Sequence, residues 1–322
     1  MKKITALLLV CAMLIALPLF SACNKLDTEL AIRVWTLNGT TGFGMAHLMD
    51  KDSKNEAALN YEFKVETDAS LVSAALMSGE ADIGAIPTNL AANLATKKPD
   101  DFVLLALNTR GVLYLVVNTA KVEKPASLAD LSGKTIYCPA QNPSAITNTL
   151  LKKAGVENYT LESTTYAQPA ALQAAVAAGE VDYAVLPEPL LTVAKASAAE
   201  GVTLETALDL TAEWDKHFTE GSLVQGCVVA RKAFVEENPE EVEKFLEEYK
   251  ASVEFVANKD NAAAAAEMIV NAKIFAKAPV AQKALPNCNL CFVTGAEMKT
   301  AMSTFLTALG IALPADSFYY AA

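Results

Sequence analysis

Beyond residue 31 the apolar positions follow two alternating rhythms. Short β-branched or aromatic runs such as Ile32–Leu37 and Tyr61–Glu66 read as strands, and alanine-rich stretches with helical spacing read as helices. The pattern predicts a helix from about Gly42 to Met49, a strand over 134–138, a helix from Ser144 to Lys153 and a strand over 159–163. Phe102–Asn118 is too long and too β-branched for one ordinary strand, and Leu223–Arg231 offers a second extended segment. From Pro239 the chain reads as mainly helical, with an acidic helix at Glu240–Glu254 and an alanine-rich one at Ala262–Val270. Alternation of this kind predicts mostly parallel sheet covered by helices.

The chain also matches itself at an offset of one hundred residues. Residues 71–90 read LVSAALMSGEADIGAIPTNL, and residues 171–190 read ALQAAVAAGEVDYAVLPEPL. Each copy is an amphipathic helix ending at a glycine (Gly79, Gly179), then a short apolar strand stopped by proline (Pro87, Pro187). The spacing is too long for a solenoid, whose repeats run about 20–50 residues. Two copies predict two similar α/β lobes. Phe102–Asn118 would cross from the first to the second, and Leu223–Arg231 would return. Lobe one is then discontinuous, residues 31–112 plus 225–322, and lobe two is 113–224.

Before residue 31 the pattern changes. Met1-Lys2-Lys3 is a basic start, and 4–20 is an apolar run short for a membrane span, the layout of a secretory signal. It ends Leu19-Phe20-Ser21-Ala22-Cys23, which resembles a bacterial lipobox with Cys23 as the lipidated mature N-terminus. An ordinary signal or an uncleaved anchor is the competing reading. A signal over 1–22, a lipid anchor with a short tether over 23–30, and a body outside the cytoplasmic membrane follow from it.

Composition narrows the function. Twenty-six Lys and Arg against 37 Asp and Glu give a net charge of −11, which argues against a nucleic-acid partner. Two histidines, His47 and His217, supply little for metal or triad chemistry, and no metal site, catalytic residue or cofactor is expected. Cys288 and Cys291 form a lone CxxC, read as buried thiols or one disulfide; a zinc site would need four ligands. There is no GxSxG. Gly133-Lys134-Thr135 lacks the leading glycine of a P-loop, and the glycines of 39–44 are misplaced for a dinucleotide fingerprint.

The lipobox, the paired "GE-x-D…P" copies and "SLADLSGKTI" (127–136) together resemble the solute-binding proteins of ABC importers. The nitrate, sulfonate, taurine and thiamine-precursor group, SsuA-like, is the subgroup suggested. The resemblance implies a bilobal periplasmic-binding-protein-like (type II) α/β fold with two hinge crossings. It implies a monomer that traps a small organic molecule between lobes and delivers it to an ABC permease and its ATPase, touching the membrane only through its lipid anchor. A ligand-sensing lipoprotein is an alternative, as is a biosynthetic enzyme of the same fold, against which the export signal weighs.

Strand carboxyl ends mark the expected site. Lobe one offers Asn38, Thr40, Thr41 and Gly42, which equally suit an ordinary threonine-capped turn, and Thr88 with Asn89, which equally suit a helix cap. Lobe two offers Gln141, Asn142, Ser144 and Glu188. Glu188 is read as an acceptor for an amino or ammonium group, or else as a solvated loop residue. Asn108 and Tyr114 flank the first crossing and Gln225 the second. Arg110 is an anion ligand or, preferably, a lobe–lobe ion pair. Trp35 and Trp214 are expected to pack, and Tyr166 to face the cleft. Only three arginines are present, which with Glu188 tilts the expected solute from sulfonate or nitrate towards a neutral or cationic, heteroaromatic compound.

Overall fold

The computed structural model describes residues 26–321; the expected signal over 1–22 and the expected lipidation site Cys23 lie outside the described residues. Eleven strands are described. They are β1 (Ala31–Leu37), β2 (Asn60–Glu66), β3 (Ile83–Pro87), β4 (Phe102–Arg110), β5 (Leu113–Asn118), β6 (Thr135–Tyr137), β7 (Thr160–Glu162), β8 (Tyr183–Pro187), β9 (Leu204–Asp209), β10 (Val224–Arg231) and β11 (Leu290–Val293). They make two sheets, in the orders β11-β4-β10-β3-β1-β2 and β7-β6-β8-β5-β9. In each, the repeat strand has a parallel neighbour on one side and an antiparallel one on the other: β1 and β10 flank β3, while β6 and β5 flank β8. The chain is thus a bilobal α/β protein, lobe one on the first sheet and lobe two on the second.

The long apolar segment is divided. β4 ends at Arg110, and β5 starts three residues later in the other sheet. The return runs from β9 to β10. Because Gly226 pairs with Pro87, and Leu113 with Pro187, both crossings meet the sheets at the carboxyl ends of the repeat strands. Those ends therefore look towards each other across the junction. One apolar cluster joins the sheets there, from Leu104 and Leu107 through Trp214, Leu223 and Phe305 to Leu115 and Val185.

Several elements differ from the sequence reading. The helix expected over Gly42–Met49 is two helices, Thr40–Phe43 and Ala46–Ser53. The C-terminal region is not purely helical, since Cys291 sits on β11, a short strand beside β4. β9, a half-exposed strand rich in polar residues, is an addition. His217 ends the helix Leu210–His217. Cys138, Cys227, Cys288 and Cys291 are all free thiols; the sulfur of Cys288 donates to Ala284 O and that of Cys291 to Leu107 O.

Candidate functional site

At the end of β1 the chain turns through Asn38 and Gly39 into the helix Thr40–Phe43. A side chain at position 42 would put its Cβ 1.9 Å from Leu37 O, so only glycine lets the turn fold back on its strand. The turn is held from outside by Ile274, whose carbonyl accepts from Gly39 N at 3.2 Å, and by Asn108, whose Nδ2 donates to Thr41 O at 3.1 Å. Asn108 is 1% exposed, and its Oδ1 accepts from the Thr109 hydroxyl at 3.1 Å. Asn38 is exposed, with Thr40 and Thr41 half-buried.

At the end of β3, Thr88 is fully buried and donates its hydroxyl to Val224 O at 2.8 Å, fixing the first turn of the helix Thr88–Lys97 to β10. Asn89 follows it half-buried, with Oδ1 unpartnered. In lobe two Gln141 precedes the helix Asn142–Lys153 in a left-handed conformation (φ 64°), and its carbonyl accepts from the Ser144 hydroxyl at 3.0 Å. Gln141 is exposed and Asn142 half-buried.

Glu188 has a structural employment that its position in the sequence conceals. It is 3% exposed, and its carboxylate accepts from Thr192 N at 3.1 Å and from the Thr192 hydroxyl at 3.0 Å, in the first turn of the helix Leu190–Ala196, whose N-cap is Pro189. Burial pushes its carboxyl above the ordinary value, against the opposing effect of those hydrogen bonds and of Lys195. Glu188 and Gln225 converge on one hinge residue. Glu188 N donates to Val112 O at 3.0 Å, and Val112 N donates to Gln225 Oε1 at 2.8 Å.

The candidate residues thus form two groups. Thr88, Asn108, Glu188 and Gln225 are sealed or committed to internal bonds near the junction. Asn38, Thr40, Thr41, Asn89, Gln141 and Asn142 keep side-chain polar groups outside such bonds; Gly42 and Ser144 shape the two turns. Among the described residues no hydrogen bond joins the 38–42 turn to the 141–144 turn. The remaining expectations resolve by packing. Trp214 is fully buried, stacks on Phe218 at 4.0 Å and donates to the Ser222 hydroxyl; Trp35 lies under the Lys64 ammonium. Tyr166 donates to Glu180. Arg110 departs from the expected lobe–lobe ion pair: it pairs with Glu297 of the helix Gly295–Ala308 within lobe one, and reaches lobe two only by donating to Gly221 O.

Two residues escaped sequence reading. The Asn287 carbonyl accepts from the Tyr114 hydroxyl of lobe two at 2.8 Å, and Asn289 Nδ2 donates to Gly111 O, at the end of the first crossing, at 2.5 Å. Their signal was the asparagine-rich run Pro286-Asn287-Cys288-Asn289, which drew notice only for its cysteine.

The described residues thus form two α/β lobes joined by two crossings, with polar turns at the ends of strands in each. The family model described as the substrate binding domain of ABC-type glycine betaine transport systems matches residues 56–287. The chain belongs to this family. It is accordingly the solute-binding component of an ABC import system, a binding protein and not an enzyme. Among solved structures, an ABC transporter protein from Parabacteroides distasonis is 23% identical, covering 92% of this chain and 99% of its own, with a TM-score of 0.73. The periplasmic aliphatic sulphonate binding protein SsuA of Escherichia coli is 16% identical over 90% and 92%, with a TM-score of 0.67. The ligand-binding component of an ABC-type import system from Staphylococcus aureus, solved with zinc bound, is 15% identical over 90% and 96%, TM-score 0.67. At such identities these likenesses speak for the fold. No curated protein matches the chain. Among the described residues no group of three or more His, Cys, Asp or Glu could hold a metal ion, and no helix is long and apolar enough to cross a membrane.

Proposed function

We propose that this binding protein is an SsuA-like lipoprotein, anchored outside the cytoplasmic membrane through Cys23, that carries a neutral or cationic small organic molecule to its permease. The lobes are 31–112 plus 225–322 and 113–224. Asn38, Thr40, Thr41, Asn89, Gln141 and Asn142 meet the solute, and Thr88, Asn108, Glu188 and Gln225 hold the frame behind them. The observation that carries the solute class is the employment of all three arginines. Arg33 donates to Asp82 through Nε (2.8 Å) and Nη2 (2.6 Å), and Arg231 donates to Asp82 Oδ1 (2.6 Å) and Ala81 O (3.2 Å). Arg110 serves Gly221 O and Glu297. No guanidinium is left to fork onto a sulfonate or nitrate, the pairing for which arginine is best suited.

The test is a thermal-shift screen of the protein after unfolding and refolding to strip carried-over solute. The panel holds alkyl sulfonates, nitrate, bicarbonate, glycine betaine, aminopyrimidines, amino acids and polyamines. A solute at a hundred times its Kd stabilises the fold by about 2.7 kcal/mol, a rise of several degrees in Tm. The reading expects that rise from a neutral or cationic compound; a rise from sulfonate or nitrate alone would overturn the solute class. The anchor is tested separately, by the intact mass of the membrane-extracted protein, which should show an acylated N-terminus at Cys23.

A further inference from the structure

The chain is fastened to lobe one from its first described residues. Leu26 and Leu30 pack against the apolar cluster that holds Ile32, Tyr61 and Phe245. Asp27 N donates to Glu241 Oε1 at 2.7 Å, and Glu241, 6% exposed, stands in the first turn of the helix Pro239–Ala257. The Asp27 carboxylate accepts in turn from Glu29 N and Leu30 N, at 3.0 and 3.2 Å. Only Asn24 and Lys25 separate Leu26 from Cys23, and three extended steps of chain reach about 10 Å. The fastening lies at the end of the sheet opposite the junction, the pole of lobe one. Ala31 pairs with Asn60, Ala230 with Ile83 and Arg231 with Phe102 at this pole, whereas Pro87, Gly226 and Arg110 mark the junction end. β4 runs from pole to junction in nine residues, a rise of about 30 Å.

Charge governs how a body so tethered stands. Around the pole Glu29, Asp100, Asp101 and Glu236 are exposed, against exposed Lys98 and half-buried Lys232. The long helix that leaves the pole exposes Glu243, Glu247 and Glu254 along its length, of which Lys244 and Lys250 offset two. A bilayer rich in anionic lipid attracts lysine and arginine by about 1 kcal/mol each close to the surface, and the same field repels carboxylates. The body therefore gains nothing by tipping this helix onto the bilayer, while the tether forbids it to withdraw. We propose that lobe one is the membrane-facing lobe. A lipid surface lies within a tether's length of the Asp27–Glu241 pole, and lobe two stands outward, with the solute junction roughly 30 Å above the pole. This orientation rests on the reading of Cys23 as the lipid anchor.

Energy transfer from the body to the bilayer tests it. The membrane-extracted, acylated protein is placed in vesicles of phosphatidylglycerol and phosphatidylcholine whose headgroups carry an acceptor dye. A donor dye is attached at the pole through Lys98→Cys, or beyond the end of β5, on the outer end of lobe two, through Glu123→Cys. Both positions are exposed, whereas Cys138, Cys227 and Cys288 are buried; an unsubstituted sample subtracts dye taken up by half-buried Cys291. Transfer should be severalfold stronger from position 98 than from position 123. Twenty Gly and Ser residues inserted after Cys23, a flexible chain of about 25 Å, should remove most of that difference. Equal transfer from the two positions of an acylated protein would overturn the orientation alone, as would a difference that the longer tether leaves unchanged. A chain that carries no acyl group and does not float with the vesicles would overturn the anchor reading, and the orientation with it.

Discussion

The two repeat copies share a backbone and divide over what their side chains do. Gly79 and Gly179 end their helices in the left-handed conformation, at φ 80° and 73°, and strands of five residues follow both. Register makes the comparison sharp. Arg231 N donates to Asp82 O and Asn118 N donates to Asp182 O, so Arg231 and Asn118 occupy equivalent places. On the other side Arg33 corresponds to Thr135. Lobe one thus places two arginines on a buried Asp82, tying β3 to both of its neighbours. Lobe two has neither, and its Asp182 is half-exposed, with only Lys121 at 4.0 Å. Asn118 works there instead, its Oδ1 accepting from Ala120 N and Thr203 N. Lobe one must hold a strand that returns from more than a hundred residues away, and an ionic clamp spans that gap. Lobe two is continuous and closes with backbone and amide bonds.

The largest effect expected from this contrast is on stability. Asp82→Ala should cost about 3 kcal/mol by leaving two arginines facing each other, while Asp182→Ala should cost less than about 1 kcal/mol, measured by urea unfolding. Equal losses would dissolve the comparison. Next come the glycines. Gly179→Ala adds to the left-handed strain a Cβ at 2.6 Å from Val202 Cγ2, whereas at Gly79 nothing lies closer than 3.9 Å. The expected costs are about 2 and about 1 kcal/mol. Thr88→Val should cost about 1 kcal/mol, by removing the bond to Val224 O.

The smallest effect lies in the acid limb. Burial pushes Asp82 up, but hydrogen bonds from Arg33 and Arg231 outweigh it and hold the carboxyl below 3.8. The stability of the clamp is thus present above the unfolded value and is lost as pH falls through the lower folded one. Below about pH 4 the wild type should lose stability more steeply than Asp82→Asn; parallel slopes would deny the clamp its charge.

Much of this was legible in the sequence because it rests on local periodicity. The repeat, the two crossings and the alternation of strands and helices are patterns of spacing, and glycine and proline punctuate them. What escaped depends on distant partners. β11 has four residues, too few to show a period, and β9 is a polar edge strand with half-exposed faces. The candidate turns were legible as strand ends, but which side chains were already employed was not. Thr88 is spent on a carbonyl 136 residues away. Glu188 is the instructive case. Its partner Thr192 is only four residues on, yet its burial to 3% exposure depends on the packing of the whole junction, which no local pattern shows.

The central claim is a solute held between the two lobes. Once the screen has supplied a compound, isothermal titration of the wild type, Asn38→Ala in lobe one and Asn142→Ala in lobe two tests it most directly. Both substitutions should weaken binding, each by about tenfold, or about 1.4 kcal/mol, for a lost polar contact. Affinity that depends on one lobe alone, with the other substitution silent, would contradict the account.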